Sequence, residues 1–309
     1  MKKIIRKWFI VTLIATSLFN VTACNFDNEN KITYFNWTLI SGTKINISAL
    51  TIDKIGNIYA SDIIGKLYQC LSQEHEFKMI KNEMGIILNL ITTDNDIIYA
   101  KNNEGNVYKI TNNGTIFTKI SDLVKGTTNL ACDKLGNIYI SAEDKIYQSN
   151  GTNNFLPMKE TIKDISILTI DKIGNIYAAT KNSEVYKKSN NTDIKSLLGI
   201  KGVIRSLTTD QANNVYAGSS NGKVYRCLVN QTIFTEIEET EGEITSLVAD
   251  NIGNIYAGSS NGTIYKCLAR TTVFKPLKYK IGGIITNLIV DHHNNVYAGS
   301  SNGKVYIYR

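Results

Sequence analysis

The chain of 309 residues repeats one pattern seven times: an Asp, then Ile or Val followed by Tyr, and a second Tyr eight or nine residues later. The repeated acids stand 38 to 41 residues apart, at Asp53, Asp94, Asp133, Asp171, Asp210, Asp250 and Asp291. A period near forty in short strand-like segments punctuated by Gly is typical of propeller blades and not of helical repeats. The sequence therefore predicts an all-β, seven-bladed β-propeller of four-stranded antiparallel blades.

Blade five shows how one repeat is expected to fold. Its first three strands are predicted at Ile204–Thr209, Asn214–Ser219 and Lys223–Cys227. The dipeptide Asn221-Gly222 is a strong signal for a two-residue type I′ hairpin turn. Such a turn would pair Gly218 with Tyr225 and Tyr216 with Cys227, which puts both tyrosines on one face, with Tyr225 over Gly218. We therefore expect each blade to have one bulky and one small face, with tyrosines that serve the core and not a ligand.

The fourth strand is indicated by an aromatic residue followed three positions later by an apolar one, as in Phe234–Ile237 and Phe274–Leu277. Pro157 and Pro276 fall in this segment, and proline is tolerated in edge strands. Trp37–Ile40 has the same pattern but precedes every first strand, whereas the last strand before Arg309 is the third strand of blade seven. We therefore expect the N-terminal strand to complete the last blade and close the ring.

Residues 1–23 have the composition of an export signal. A basic start is followed by the apolar stretch Trp8–Val21, which is too short to act as a stop-transfer helix. The stretch ends in Val21-Thr22-Ala23-Cys24, which resembles the bacterial lipobox. The resemblance implies cleavage before Cys24 and attachment of a membrane-anchoring lipid to Cys24. An ordinary secretory signal with a chance Cys is the alternative.

These features divide the chain into a cleaved lipoprotein signal peptide (1–23), a short tether (24–32) and the propeller (33–309). The expected location is the bacterial cell envelope, outside the cytoplasm, and Asn25 favours the outer membrane where the organism has one. Residues 1–23 carry four basic residues and no acid, so their removal lowers the net charge from +7 to +3. So small an excess gives no reason to expect a nucleic-acid partner.

Four further cysteines lie in the propeller, namely Cys70, Cys132, Cys227 and Cys267. Cys70, Cys227 and Cys267 each follow the second Tyr of their own blade by two residues, so they occupy equivalent positions in different blades. Equivalent positions are too far apart for a disulfide, which needs Cα atoms within about 7 Å. The sequence therefore predicts small buried thiols and no disulfide.

The repeat resembles the NHL and two-component-regulator type of propeller, whose blades carry an Asp, a Gly-Asn turn, an aromatic strand and a Gly-Lys hairpin. The residues that carry the resemblance are Asp250-Asn251-Ile252-Gly253-Asn254-Ile255-Tyr256 and Asn261-Gly262-Thr263-Ile264-Tyr265. It covers residues 33–309 and implies the architecture. It implies no activity, because propellers of this type share none.

Catalytic and metal-binding residues are sparse. The positions expected to line the central channel are Ser48, Asn89, Thr128, Ser166, Arg205, Thr245 and Thr286. Arg205 is the only charge among them, whereas a glycoside-cleaving site would need paired carboxylates. The repeated Asp residues are expected to hold turns, and His75, His292 and His293 have no spacing typical of a metal site. We expect no cofactor, no metal and no enzymatic activity.

The surface offers two kinds of candidate site. Charged residues of both signs are predicted on one face of the disc and could dock a protein, namely Arg205, Glu239, Glu241, Lys278 and Lys280. Three Gly-Ser-Ser-Asn-Gly hairpins, which contain Asn221, Asn261 and Asn302, could instead form repeated sugar sites. The interpretation we favour is a monomeric, lipid-anchored scaffold for an envelope or surface protein. A glycan-binding surface lectin and an enzyme with a shallow channel site are the alternatives.

Overall fold

The computed structural model describes residues 24–25, 33–34, 37–80, 83–111, 116–121, 129–142, 144–149, 155–189, 192–237 and 240–309. Seven four-stranded antiparallel sheets form the ring, and a short ribbon pairs Cys24–Asn25 with Thr33–Tyr34. The predicted signal peptide and most of the tether lie outside the described residues. Within the part of the chain that the structure describes, no helix is long and apolar enough to cross a bilayer. The predicted fold class is confirmed.

Each blade is built from strands that follow one another in the sequence. The first, innermost strands are Ile47–Ile52, Ile87–Thr92, Asn129–Cys132, Ile165–Ile170, Ile204–Thr209, Ile244–Ala249 and Ile285–Val290. The second strands are Ile58–Asp62, Ile98–Asn102, Ile138–Ala142, Ile176–Thr180, Val215–Ser219, Ile255–Ser259 and Val296–Ser300. The third strands are Leu67–Cys70, Val107–Thr111, Lys145–Ser149, Val185–Lys188, Val224–Cys227, Ile264–Cys267 and Val305–Tyr308. The outer strands of blades one to six are Lys78–Ile80, Ile116–Ser121, Leu156–Thr161, Lys195–Leu197, Thr235–Ile237 and Phe274–Pro276.

The ring closes as the sequence predicts, because the fourth strand of blade seven is Trp37–Ile40 from the N-terminal part of the chain. It pairs antiparallel with Val305–Tyr308, with Trp37 opposite Tyr308 and Ile40 opposite Val305. The rings of Trp37 and Tyr308 lie 5.2 Å apart between centroids. This pairing covers the edge that the third strand would otherwise expose.

The hairpin between the second and third strands differs from the prediction. In blade five the Gly222 amide bonds to the Ser219 carbonyl, and the Ser219 amide bonds to the Lys223 carbonyl. Only Gly222 is left-handed in this turn, with φ of 83°. The loop therefore has three residues, a type I turn closed by a glycine bulge, instead of the two of a type I′ turn.

The extra loop residue shifts the register by one, so the predicted pairs of Gly218 with Tyr225 and of Tyr216 with Cys227 are wrong. Gly218 lies opposite Val224, and Tyr216 lies opposite Arg226. A shift of one residue moves a side chain to the other face. The two tyrosines of a blade therefore point to opposite faces, and neither face is uniformly bulky.

The space above Gly218 belongs to the next blade. A Cβ added at Gly218 would lie 2.5 Å from Cγ2 of Ile244, the first residue of blade six. In the same way Tyr177 of blade four packs with Ala217 and Tyr225 of blade five in one buried cluster. Adjacent blades thus interlock through the first Tyr of one blade and the second Tyr of the next.

Blade two also departs from the pattern that the other repeats share in the sequence. Its turn is held by Thr93, whose Oγ1 accepts a hydrogen bond from the Ile97 amide at 3.2 Å, and Asp94 is exposed one residue later. Asp94 is therefore not the equivalent of the other repeated acids. The same shift makes Leu88, and not Asn89, the counterpart of Arg205 at the channel mouth.

The four propeller cysteines are free, as predicted. Cys70, Cys227 and Cys267 are buried, and the Cys227 thiol donates to the carbonyl of Gln231 at 3.3 Å in the loop that follows its strand. Burial raises the pKa of Cys70 to about 11 and that of Cys132 to about 12. The thiols of Cys70 and Cys132 therefore stay protonated at neutral pH.

Candidate functional site

The disc has two chemically different faces. Because successive strands of a blade run in opposite directions, the first-to-second turns and the third-to-fourth loops share one side, which we call the Asp-turn face. The second-to-third hairpins and the connections from one blade to the next share the other, which we call the hairpin face. Trp37 begins a fourth strand, so the N-terminal segment enters the ring at the Asp-turn face.

The carboxylates of the repeated acids, Asp94 excepted, accept hydrogen bonds from the residues of their own turns. In blade six, Oδ1 of Asp250 accepts from the amides of Ile252 and Asn254, at 3.1 and 2.8 Å. Oδ2 accepts from Nδ2 of Asn254 at 2.7 Å and from the hydroxyl of Tyr256 at 3.4 Å. A carboxylate has about four acceptor sites, so none of them is left for a substrate. The predicted structural role is confirmed for six of these acids and is wrong for Asp94, whose place in the turn of blade two is taken by Thr93.

The Gly-Ser-Ser-Asn-Gly hairpins hold the connections between blades. In blade six, Oγ of Ser259 donates to the Glu241 carbonyl at 2.7 Å, and Oγ of Ser260 accepts from the Glu243 amide at 3.1 Å. Blade seven repeats both bonds, from Ser300 to the Gly282 carbonyl and from the Ile284 amide to Ser301. The identity of these loops therefore has a structural cause.

The three asparagines proposed as sugar ligands share that role. Their Oδ1 atoms accept from the backbone amide two residues later, at 2.9 to 3.0 Å. Nδ2 of Asn221 donates to the hydroxyl of Tyr225, Nδ2 of Asn261 to the Glu241 carbonyl and Nδ2 of Asn302 to the Gly282 carbonyl. Each amide group thus makes one hydrogen bond within the protein through its oxygen and one through its nitrogen, so these asparagines have a structural role in their loops.

The predicted charged residues lie on the hairpin face. Arg205 is exposed and forms an ion pair through its Nε with Glu243, which precedes the first strand of blade six. Glu241 is exposed in the same connection, and Lys278 and Lys280 are exposed in the next one. Among the described residues, no ion pair joins Glu241 to either lysine. Their side chains therefore stay available to a partner, whereas Glu239 lies outside the described residues.

Sequence analysis did not predict the exposed apolar side chains of this face. Ile63 and Ile64 in the hairpin of blade one, Leu88 of blade two and Ile284 entering blade seven each expose between 44% and 54% of their surface. Gly65 packs against the backbone of Gly85, so the hairpin of blade one touches the connection into blade two. Blade seven also adjoins blade one, so these four side chains lie on three consecutive blades, and we call them the apolar sector. Isoleucine and leucine in exposed turns had no periodicity that could predict it.

The Asp-turn face carries a ring of exposed aliphatic side chains. Ile55, Leu135, Ile173 and Ile252 occupy the same turn position in four blades, and each exposes between 61% and 81% of its surface. In blades one, three and four a lysine precedes this residue, namely Lys54, Lys134 and Lys172. In each of these turns the Asp carboxylate points into the protein, and the aliphatic side chain points into solvent.

The channel offers little catalytic chemistry. Of the described residues on the innermost strands, Arg205 is the only one with a formal charge, and Thr128 lies outside the described residues. At the Asp-turn face, His75 lies in the third-to-fourth loop of blade one, and His292 and His293 lie in the turn that follows the innermost strand of blade seven. The described part of the chain contains no group of three or more His, Cys, Asp or Glu side chains that could hold a metal ion.

Solved structures share this fold at low sequence identity. Virginiamycin B lyase from Staphylococcus aureus is 10% identical with a TM-score of 0.75, covering 89% of this chain and 99% of its own. The WD40 propeller domain of Doa1 is 10% identical with a TM-score of 0.76, covering 89% and 97%. YCF48 from Cyanidioschyzon merolae is 12% identical with a TM-score of 0.72, covering 88% and 98%. The sequence matches no known family model and no curated protein. The lyase and the other two propellers resemble this chain to the same extent, so the likeness extends to the β-propeller fold alone.

Proposed function

We propose that this chain is a lipid-anchored extracytoplasmic scaffold that docks a protein partner on its hairpin face and performs no catalysis. The observation that carries the proposal is the division of that face. The apolar sector of Ile63, Ile64, Leu88 and Ile284 lies on blades seven, one and two, and a charged sector of Arg205, Glu241 and Glu243 lies on blade five and in the connection from it into blade six. Contiguous exposed apolar surface beside polar residues is typical of protein interaction sites.

The lipobox-like sequence supports a lipid anchor on Cys24, and the fold supports one orientation of the propeller relative to the membrane. The segment from Cys24 to Trp37 can span at most about 40 Å when fully extended. Because it enters the ring at the Asp-turn face, that face would lie towards the membrane and the hairpin face away from it. The lysines beside Ile55, Leu135 and Ile173 would then lie towards anionic lipid headgroups. The partner in this proposal is an envelope or surface protein with its own apolar patch and charges of both signs.

Site-specific crosslinking in intact cells tests the docking face. A photoreactive residue at Ile64 or Leu88 should give a discrete protein adduct, and one at Leu135 on the opposite face should not. Ile284→Asp should remove the adduct formed from Leu88, because a buried unpaired carboxylate opposes docking. Ile173→Asp, on the other face, is the matched control. Adducts of equal yield from both faces would contradict the proposed docking face.

The anchor has a separate test. Cells fed a labelled fatty acid should label the wild-type chain and not the Cys24→Ser variant, because the thiol is the acceptor. Equal labelling of both would contradict the lipid anchor and leave the docking experiment unaffected. The envelope location is checked by membrane fractionation of the same two strains.

A further inference from the structure

A cavity of about 270 Å³ lies between blades five and six at the Asp-turn face. Two arginines line it: Arg226 at the end of the third strand of blade five, and Arg270 in the third-to-fourth loop of blade six. The Asp210 turn and Tyr216 form one wall, and Ile252 with Gly253 form another. None of these residues belongs to the docking face proposed above.

Arg226 has donor capacity that the protein does not use. Its Nε–H is buried and has no hydrogen-bond partner, its Nη1 donates a long bond of 3.4 Å to the Thr271 carbonyl, and the guanidinium also lies within hydrogen-bonding reach of the Tyr216 hydroxyl. Burying an unpaired donor is unfavourable, and more so for a charged group. In blades one and three the equivalent residue is glutamine, and Nε2 of Gln148 donates to the hydroxyl of Tyr139 at 3.0 Å. Arg226 thus exceeds what the blade needs at this position.

The acid in the cavity wall does not supply the missing acceptor. Asp210 accepts from the amides of Ala212 and Asn214 at 2.8 and 2.9 Å through Oδ1. Its Oδ2 accepts from Nδ2 of Asn214 at 2.8 Å and from the hydroxyl of Tyr216 at 3.0 Å. With all four acceptor sites filled, Asp210 leaves no oxygen for either guanidinium. Among the described residues, neither arginine takes part in an ion pair.

We propose that this cavity binds a phosphate group through Arg226 and Arg270. Guanidinium groups match the oxygens of phosphate with paired, charge-assisted hydrogen bonds, and two of them balance a dianion. The cavity is small enough to favour a phosphomonoester or a headgroup over a large ligand. Two sources share this chemistry. One is a soluble phosphate compound, and the other is a phospholipid headgroup, whose acyl chains would meet exposed Ile252 and Leu268.

The purified full chain is titrated with inorganic phosphate and glycerol phosphate by calorimetry. The Cys24→Ser chain, which has no lipid to anchor it, is also sedimented with vesicles of phosphatidylcholine, alone or mixed equally with phosphatidylglycerol. Arg226→Gln should weaken binding by about tenfold or more, since one charge-assisted bidentate contact is lost. Arg270→Gln should weaken it further. Glutamine at 226 can still reach the hydroxyl of Tyr216, as Gln148 does in blade three, so the variant should keep its melting temperature. Lys187→Gln, at the same position in blade four, is the matched control.

A soluble source would show as calorimetric binding that both arginine variants weaken. A headgroup source would show as sedimentation with the phosphatidylglycerol vesicles that both variants weaken. The proposal is overturned if Arg226→Gln and Arg270→Gln together leave every measured binding unchanged, or if no probe binds the folded wild-type chain. Neither result depends on the lipid at Cys24 or on the docking face.

Discussion

At the scale of single residues, the repeated Asp organises its blade more than any other side chain. In blades three to seven its Oδ2 accepts from the hydroxyl of the first Tyr of the second strand, at 3.0 to 3.4 Å. The same carboxylate also accepts a hydrogen bond from the backbone amide of the residue four positions later, at the end of the turn. One carboxylate therefore joins a surface turn to the packing between blades.

Asp250→Ala should lower the free energy of unfolding by about 3 kcal/mol, because it leaves buried donors on Asn254 and Tyr256 without an acceptor. Asp94→Ala removes an exposed Asp one residue away from the corresponding turn position and should change stability by less than about 0.5 kcal/mol. Urea denaturation followed by circular dichroism measures both. An equal loss in the two variants would contradict the role of the turn.

The thiols give a second prediction at this scale. Because burial raises the pKa of Cys70 and Cys132, their reactive thiolate forms are scarce at neutral pH. Iodoacetamide should label the four ring cysteines slowly in the native protein and rapidly in denaturant, as measured by mass spectrometry over time. Fast native labelling of Cys227 would show that it is not buried.

At the scale of the structural element, the hairpin shows how far the sequence can be interpreted. Asn-Gly correctly predicts a turn between the second and third strands, but it suits both the type I′ turn and the type I turn with a glycine bulge. The two differ in the φ of Asn221, which depends on the bond between its Nδ2 and the hydroxyl of Tyr225 and on packing against the connection into the next blade. The first contact lies within the hairpin, but the second is a tertiary contact, so local sequence alone could not decide the register.

Two features require glycine in the hairpin, namely the left-handed backbone and the close approach of the neighbouring connection. A Cβ at Gly262, where φ is 84°, would lie 2.1 Å from the Ile281 carbonyl oxygen, while one at Gly253, where φ is 90°, would meet only a side chain at 3.5 Å. Gly253→Ala should therefore cost about 1–2 kcal/mol for the left-handed backbone alone. Gly262→Ala should cost about 1–3 kcal/mol more, because the connection must move. Thermal unfolding compares the two, and equal losses would argue against the contact between blades.

The contribution of the closing strand Trp37–Ile40 to stability can also be measured. Trp37→Ala should lower stability by about 3 kcal/mol, at the low end for a truncated aromatic because the ring is half-buried. Thr38→Ala, exposed on the same strand, is the control. Deletion through Ile40 should lower the melting temperature further and cause aggregation through the exposed edge of Val305–Tyr308. A deletion variant that stays monomeric with the same melting temperature would show that the ring does not depend on this strand.

At the scale of the whole molecule, the buried tyrosines predict a sharp alkaline limit. Burial raises the pKa of Tyr59 from 10.0 to about 12, and it raises those of Tyr177, Tyr216 and Tyr256 as well. Above pH 10 the unfolded chain therefore loses protons that the folded chain keeps. The stability is complete below pH 10 and falls as the pH rises towards and through 12.

Tyrosinate absorbance and circular dichroism should therefore change together in one transition above pH 10. Tyr279 lies in the connection between blades six and seven, outside the buried clusters, so Tyr279→Phe should leave the midpoint unchanged. Full ionisation of the tyrosines with unchanged circular dichroism would contradict the burial of their hydroxyl groups.

The fold and the surface were predictable to different extents at this scale. Blade number, strand order and closure follow from repeated residues, because every blade must bury the same positions. The predicted charges do lie on the hairpin face, but its apolar sector arises where single exposed side chains of blades one, two and seven meet. The arginine cavity likewise joins residues of two blades. Such sites depend on contacts between blades, and a repeat shows only what blades have in common.

The closing strand also sets the order in which the molecule can form. Trp37 is made before any of the seven innermost strands, yet its partner Tyr308 lies in the third strand of blade seven, so blade seven stays open until almost the whole domain exists. Contacts between such distant segments slow folding, because the long loop must close before any of them forms. Until then Trp37–Ile40 is an apolar segment without a partner strand. A chain exported from its N-terminal end would thus need protection from aggregation throughout its passage, and its last residues would complete the fold.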